Sequence, residues 1–310
     1  MKVLVTGGAG FIGSHLVDKL MLDGHEVVVL DDLSSGSLKN IEHHLDEPGF
    51  RFVEGDIRYA RTVEKALEGV DAVIHEAAIA SVPLSMKNPA LTNEVNVLGT
   101  LNLLKASLEV GVKRFVYASS SAVYGAPSKL PISEDAPLKP ISPYGESKMA
   151  AERHCQTFYE AYGLETVRLR YFNVYGPRQT GEYAGVMIKF LERIRRDQPP
   201  VIFGDGEQTR DFVYIGDVVE ATLLALDREG AAGEVFNIGT GEATTIKKLC
   251  EIFLKLTGKT HLKPIYMDAK PGDIRHSQAD ITKAMKLLGY KPKVSLEQGV
   301  REFLNLVEPR

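Results

Sequence analysis

The chain of 310 residues is short of cysteine, of excess basic charge and of long apolar runs, and each shortage removes a class of function. Its two cysteines, Cys155 and Cys250, both fall in helix-patterned stretches. They predict buried, reduced thiols and a cytoplasmic setting rather than a disulfide framework. Lysine and arginine total 37 against 41 acidic residues, so the net charge of −4 offers no footprint for nucleic acid or an anionic membrane. That balance still leaves room for a local basic pocket that binds phosphates. No apolar run approaches the roughly 18 residues of a membrane span. Met1-Lys2 leads straight into Val3-Leu4-Val5, without the apolar segment of a signal peptide. The eight histidines are scattered and no His-Glu-x-x-His helix is present, so no metal site is expected.

What the chain does have is alternation. Val3–Val5 reads as a buried strand and is followed by Gly7-Gly8-Ala9-Gly10-Phe11-Ile12-Gly13. The glycines fit Gly-x-Gly-x-x-Gly at 8, 10 and 13, and also Gly-x-x-Gly-x-x-Gly at 7, 10 and 13. A helix from Phe11 to about Asp23 stops at Gly24, and Glu26–Leu30 is a second strand ending in Asp31-Asp32. Strand, glycine turn, helix, strand and terminal acid form a dinucleotide fingerprint. The turn admits a pyrophosphate at a helix N-terminus, and Asp31 accepts from ribose hydroxyls while repelling a 2′-phosphate. NAD is therefore expected over NADP. Arg51–Val53 leads to Asp56-Ile57 at the adenine edge. Asp71–His75 leads to Glu76-Ala77-Ala78, where small side chains let a cofactor approach the backbone. A long helix over about Pro89–Val110 carries Asn96, and Arg114–Ala118 is the next strand. This pattern predicts a doubly wound parallel sheet, with Gly7–Gly13, His75, Ser119–Ser121 and Tyr171–Asn173 meeting at one rim.

The last strand runs into Ser119-Ser120-Ser121-Ala122-Val123-Tyr124-Gly125, and then, after a polar loop, into Ser142-Pro143-Tyr144-Gly-Glu-Ser-Lys148. Residues four apart share a helix face, so the Lys148 ammonium can favour a Tyr144 phenolate and make it a general base. The spacing alone is weak. With 12 tyrosines and 21 lysines, about 0.8 such pairs arise by chance. Tyr266–Lys270 is a second one, followed by Pro271-Gly272, and reads as incidental.

Beyond Thr166–Asn173 the alternation loosens. Val201–Tyr214 reads as a hairpin-like polar stretch, Asp217–Leu226 as a helix, Glu234–Ile238 as a strand and Ile246–Leu256 as a helix. Arg210 and Arg275 suit a pyrophosphate clamp, and ordinary surface ion pairs explain them equally well. The expected division is a cofactor domain over 1–170 with about 211–240, and a smaller α/β substrate lobe over 171–210 and 241–310.

Together these stretches resemble the extended short-chain dehydrogenase/reductase family over nearly the whole chain, and within it the UDP-hexose 4-epimerases. The resemblance rests on Thr6–Ser14, Asp31, Asp56, His75–Ala78, Ser119–Gly125, Tyr144–Lys148, Tyr171–Asn173, Arg210-Asp211 and Gly272-Asp273. It implies NAD held by Gly7, Gly10, Phe11, Ile12, Gly13, Asp31, Asp56, Ile57, Ala77, Ala78, Asn96, Tyr144, Lys148, Tyr171 and Phe172. It implies a UDP-sugar held by Lys87, Ser120, Ser121, Tyr144, Asn173, Arg210, Asp273, Arg275 and Ser277. Catalysis falls to Ser120, four residues before Tyr124, with Tyr144 as base and acid and Lys148 as its activator. Relatives with dehydratase or decarboxylase activity carry carboxylates beside this serine; here Ser121 and Ala122 follow it, so a reversible 4-keto sugar is the expected limit of the reaction. Small Ser277 stands where glucose-restricted epimerases carry a tyrosine, which leaves room for a 2-acetamido group. Lys270 departs from an arginine frequent in relatives. The alternatives are a UDP-glucuronate 4-epimerase, a nucleotide-sugar dehydrogenase or reductase, and a silent sensor. Family members commonly dimerise through the helices after His75 and at Tyr144; Leu101, Leu104 and Leu108 fit that homodimer face or packing on the sheet equally well.

Overall fold

Mostly buried apolar runs of four to seven residues build one parallel sheet, because its central strands, covered by helices on both faces, need no polar side. The computed structural model describes residues 1–179, 185–269 and 274–306. Strands β1 (Lys2–Thr6), β2 (Glu26–Asp31), β3 (Phe50–Glu54), β4 (Ala72–His75), β5 (Arg114–Ser120), β6 (Glu165–Tyr171) and β7 (Val235–Ile238) lie in the order β7-β6-β5-β4-β1-β2-β3. Every neighbouring pair is parallel. The order reverses between β1 and β4, which opens a crevice at the carboxyl ends of the strands. Register brings Thr6 opposite His75 and Ser120 opposite Tyr171, so the predicted rim is real.

Alternation along β1 divides the core. Val3 and Val5 pack with Leu16 and Leu20 of helix Phe11–Leu22 and with Val218 of helix Ile215–Asp227. Leu4 faces Val63, Leu103, Leu104 and Ala151, from helices Ala60–Ala66, Thr100–Val110 and Pro143–Tyr162. Of the three leucines named for a dimer face, Leu104 is fully buried there and Leu108 packs against the same core, while Leu101 is half-buried outside it. The long helix expected over Pro89–Val110 is not uniform: a wider, π-helical turn, Glu94–Gly99, joins Pro89–Asn93 to Thr100–Val110. Gly99 is needed there, since a Cβ would stand 2.6 Å from the Ile57 Cδ1.

The second half departs most from its reading. Val201–Tyr214 is not a hairpin. Val201–Phe203 pairs with Ile265–Met267, Thr209–Arg210 with Thr244–Thr245, and Phe212–Tyr214 with Asn173–Tyr175. The turn at Gly204 and Gly206, with φ of +76° and +80°, sends each short strand to a different partner. One carboxylate ties these pieces together. Buried Asp211 accepts from the backbone N–H groups of Thr240 (2.7 Å), Gly241 (2.9 Å) and Ala279 (3.1 Å) and from the Thr240 hydroxyl (2.7 Å). Tyr266 sits exposed in a strand, so its spacing to Lys270, which lies outside the described residues, is not a turn of helix.

Candidate active site

The glycine turn makes the crevice usable. Gly7 has φ +69°, and a Cβ on Gly13 would stand 2.1 Å from the Gly7 carbonyl oxygen, so 7, 10 and 13 are the spacing the fold uses. Bare backbone then meets the N-terminus of helix Phe11–Leu22, a ready site for an anion. A cavity of about 530 Å³ opens above it. Gly7, Gly10, Phe11, Ile12, Gly13, Asp31, Asp56, Ile57, Ala77 and Ala78 all line it.

Asp31 ends β2 with its carboxylate buried, accepting from Ala9 N (2.9 Å) and Leu33 N (2.8 Å). Burial raises its pKa, and those two bonds oppose the rise. Asp56 is partly buried, which works against its charge, yet Arg58 grips it at 2.6 and 2.8 Å and holds its pKa below the usual range. Donor turn, acid at the second strand and an alanine-lined wall suit a dinucleotide, so the residues present fit NAD.

Other predicted cofactor contacts stand behind this wall. Asn96 spends its amide on the Ile79 N–H (2.8 Å), the Ile79 carbonyl (3.0 Å) and Ser147 Oγ (2.9 Å). It fixes the cavity lining rather than belonging to it. Tyr171 is buried with its hydroxyl 2.9 Å from Glu76 Oε1 and 2.8 Å from Thr222 Oγ1. Phe172 packs with Val123, Tyr124 and Ala279.

At the rim, Ser120 ends β5 and its Oγ accepts from Ala122 N at 3.2 Å, capping the 3₁₀ turn Ser121–Tyr124. Ser142 caps the Tyr144 helix through Gly145 N (3.1 Å), with Pro143 in its first turn. A Cβ on Gly145 would stand 2.8 Å from the Ala122 carbonyl oxygen, so only glycine lets this helix press on the serine turn. Tyr144 is half-buried and Lys148 buried, one turn apart. Lys148 Nζ donates to the Ala118 carbonyl (2.8 Å) and lies 5.1 Å from the centroid of the Tyr117 ring. Burial lowers its pKa, a shift that Glu76 opposes only when it carries a charge. Behind it, buried Arg170 pairs with Glu152, whose Oε2 also takes the Ser119 hydroxyl at 2.7 Å.

The predicted substrate contacts are less uniform. Ser121 lies half-buried in the serine turn, and Ser277 is buried with its N–H on the Thr209 carbonyl (3.2 Å). Arg210 Nη1 donates to the Thr209 carbonyl at 2.7 Å. Asn173 is exposed at the start of its short strand, and Lys87 is exposed at the end of helix Val82–Lys87. Arg275 is exposed and held by Asp205 at 2.7 and 2.8 Å, the surface pair its sequence left open. Asp273 lies outside the described residues.

Sequence reasoning missed Arg178 and Gln179, which line the cavity from the loop after Pro177. Arg178 has φ +65° and pairs with Asp18 at 2.8 Å. The other Asp18 oxygen meets Nε2 of both His43 and His44 at 2.9 Å, a cluster that the scattered histidines did not suggest. The only signal was Arg178 following the run Val-Tyr-Gly-Pro.

The model of the NAD dependent epimerase/dehydratase family matches residues 3–239, and the chain belongs to that family. It is 43% identical over 307 residues to a putative UDP-glucose 4-epimerase of Methanocaldococcus jannaschii, covering 98% of this chain and 97% of that one. Among solved structures, the UDP-glucose 4-epimerase of Thermotoga maritima with UDP-glucose is 44% identical with a TM-score of 0.93, covering 99% and 98% of the two chains. The UDP-N-acetylglucosamine 4-epimerase of Methanobrevibacter ruminantium, in complex with UDP-N-acetylmuramic acid, is 39% identical at 0.93, covering 98% and 97%. No helix among the described residues is long and apolar enough to cross a membrane.

Proposed function

We propose that this protein is an NAD-dependent UDP-hexose 4-epimerase that acts on UDP-glucose and UDP-galactose and on their 2-acetamido counterparts. The observation that carries this reading is the Ser120 turn pressed on the Tyr144–Lys148 helix, together with a cavity lined by the glycine turn, Asp31 and Ala77–Ala78, and with Ser121 and Ala122 where a dehydratase needs acids. The cofactor belongs to residues 1–170 with about 211–240, the sugar nucleotide to 171–210 and 241–310. Gly7–Gly13, Asp31, Ala77 and Ala78 would hold NAD, which when bound supplies reversible hydride transfer at sugar C4. Ser120 holds the C4 hydroxyl. Tyr144 takes its proton and returns it after the keto sugar has turned about its diphosphate link. Lys148, kept charged beside that phenol, favours its ionised form. Arg210 neutralises phosphate charge, and small Ser277 leaves room for an acetamido group. Free, buried Cys155 and Cys250 suit a cytoplasmic protein, and a homodimer is the expected assembly.

Purified protein given UDP-galactose without added NAD is expected to form UDP-glucose with no net NADH release. Net NADH would instead indicate a dehydrogenase, and no turnover a sensor. Extending the panel to UDP-N-acetylglucosamine and UDP-glucuronate tests sugar choice. Ser277→Tyr should cut acetamido turnover relative to hydroxyl turnover; an unchanged ratio sinks the Ser277 assignment.

A further inference from the structure

At the β4 end of the cavity stands Glu76, to which neither the glycine fingerprint nor the Ser/Tyr/Lys set gives a role. Its surroundings pose a proton count. Glu76 Oε1 lies 2.9 Å from the Tyr171 hydroxyl, that hydroxyl lies 2.8 Å from Thr222 Oγ1, and Thr222 Oγ1 lies 2.8 Å from the Val218 carbonyl oxygen. Tyr171 and Thr222 are buried. A carbonyl oxygen only accepts, and each hydroxyl has one hydrogen. Thr222 therefore donates to Val218 and must accept from Tyr171. Tyr171 has then spent its hydrogen, and the contact to Glu76 needs a third. An ionised Glu76 leaves one of the three contacts, two of them buried and the one to Glu76 partly buried, as two oxygens with no hydrogen between them, which native interiors avoid. A protonated Glu76 satisfies all three in one direction.

We propose that Glu76 is kept as a neutral carboxylic acid at the head of the chain Glu76–Tyr171–Thr222–Val218, and that its neutrality leaves the Lys148 charge uncompensated for Tyr144. The inference rests on the Tyr144–Lys148 reading above for its consequence, though not for the proton itself. Burial also pushes the Glu76 carboxyl above the ordinary range. The groups facing it are consistent. Lys148, from the Tyr144 helix, is the charged neighbour and favours ionisation. Tyr117 on β5 and Tyr171 on β6 are phenols held well above their usual pKa by burial, and His75 on β4 is neutral because burial lowers its pKa. Thr222 carries no charge. A carboxylate here would offset the Lys148 ammonium and raise the Tyr144 phenol. Glu76 is thus a positioning residue whose proton stays in place during turnover.

The direct test is a pH titration of the whole protein labelled with ¹³C at glutamate carboxyls, with the Glu76 resonance assigned by its loss in Glu76→Gln. Glu76 is expected to titrate well above the ordinary value of about 4.3. Thr222→Val frees the Tyr171 hydrogen to serve a carboxylate, so the titration should move down by about half to one unit, the shift one net hydrogen bond supports. Titration in the ordinary range, or no movement in Thr222→Val, overturns the neutral acid. This readout needs no turnover, so it stands apart from the epimerase assignment. The coupling is read from the pH dependence of kcat/KM. Wild type should bend to a shallower rise where Glu76 ionises, and Glu76→Gln, whose amide N–H replaces the acid O–H, should lack that bend. Superimposable profiles overturn the link to Lys148.

Discussion

The large sheet and the set of short paired strands around Asp211 hold themselves together by opposite means. In the first, strands of four to seven residues form a continuous parallel ladder, and backbone pairs with backbone. In the second, strands of two and three residues pair in twos, and a buried carboxylate, Asp211, does what a ladder would otherwise do. A long ladder releases polar side chains for chemistry at the strand ends. A broken ladder conscripts them to satisfy backbone N–H groups that would otherwise be buried unpaired. The difference separates chemistry from shape: the sheet is expected to tolerate loss of its rim hydroxyls without unfolding, and the short strands to unravel when one acid is removed.

The largest effect should come at the rim. Tyr144→Phe removes the oxygen proposed to transfer the proton, from a half-buried position, while keeping the ring. Turnover of UDP-galactose should fall by about 10²–10⁴-fold, the usual worth of a positioned acid–base group, with an unchanged urea midpoint. A midpoint that falls together with activity would erase the contrast between the two regions.

Stability changes of similar free energy are expected from two buried acids, by different routes. Glu152→Ala strands the Arg170 guanidinium with only the Tyr124 hydroxyl and the Glu134 carbonyl, at a cost of about 3–5 kcal/mol. Asp211→Ala leaves the N–H groups of Thr240, Gly241 and Ala279 without their acceptor, at about 1–3 kcal/mol for each that stays buried. Urea unfolding reads both totals, and hydrogen exchange separates them. Glu152→Ala should weaken protection across the sheet, whereas Asp211→Ala should open amides 240, 241 and 279 first. Uniform loss of protection in Asp211→Ala would show that the lobe is held by something other than this carboxylate.

The same contrast explains what could be read from sequence. Period and glycine spacing exposed β1, β2 and the Phe11–Leu22 helix, because backbone-driven elements leave their pattern in the side chains that cover them. The rim followed from topology, since parallel strands must end together. The leucines of the Thr100–Val110 helix could not be assigned from sequence, because a helix face that suits a partner suits a sheet equally well; Leu104 packs on the sheet. Val201–Tyr214 misled because Thr209–Arg210 and Phe212–Tyr214 owe their partners to Asp211 and the Gly204–Gly206 turn, and a tertiary hydrogen bond has no local period. Asn96 reads as a cofactor contact by family resemblance alone; in the fold its amide bonds to Ile79 and Ser147, tertiary partners that leave no local pattern in the sequence.

An effect that is absent at neutral pH and grows only as pH falls follows from His75 at the centre of the ladder. Thr100 donates its hydrogen to the Asn96 carbonyl at 2.6 Å, so His75 Nε2 must donate to Thr100 Oγ1 (2.8 Å) and Nδ1 must accept from Thr6 (2.7 Å). The ring is therefore neutral, and burial lowers its pKa to about 3 from an ordinary 6.5. Below about pH 6.5 the unfolded chain binds a proton that the folded one refuses. The stability this group contributes is complete above that pH and is lost as pH falls toward 3, at up to about 1.4 kcal/mol per unit. Urea midpoints at a series of pH values should show that slope, and His75→Gln should flatten it. An equal slope in the variant would mean that His75 takes up its proton without opening the sheet.

The smallest effect is expected from the arginines of the lobe, and it sharpens the comparison most. Arg275 is exposed and spent on Asp205, whereas Arg210 sits half-buried in a short strand beside the Asp211 clamp. If polar side chains in this region are conscripted by the fold wherever they are buried, an exposed pair is the one free to be lost. Arg275→Ala should leave the urea midpoint unchanged, since exposed pairs add little to stability. It should also leave KM for the UDP-sugar within about threefold, a difference of less than 1 kcal/mol in binding. Arg210→Ala should raise KM by a larger factor, because a half-buried guanidinium, if it holds the phosphate as proposed, does so with less competition from water. The two variants are compared at equal ionic strength, because a screened surface charge and a phosphate contact respond differently to salt. A larger KM rise for Arg275→Ala would mean that it leaves Asp205 to take the diphosphate, and the exposed pair would then be a resting position of the clamp rather than its replacement.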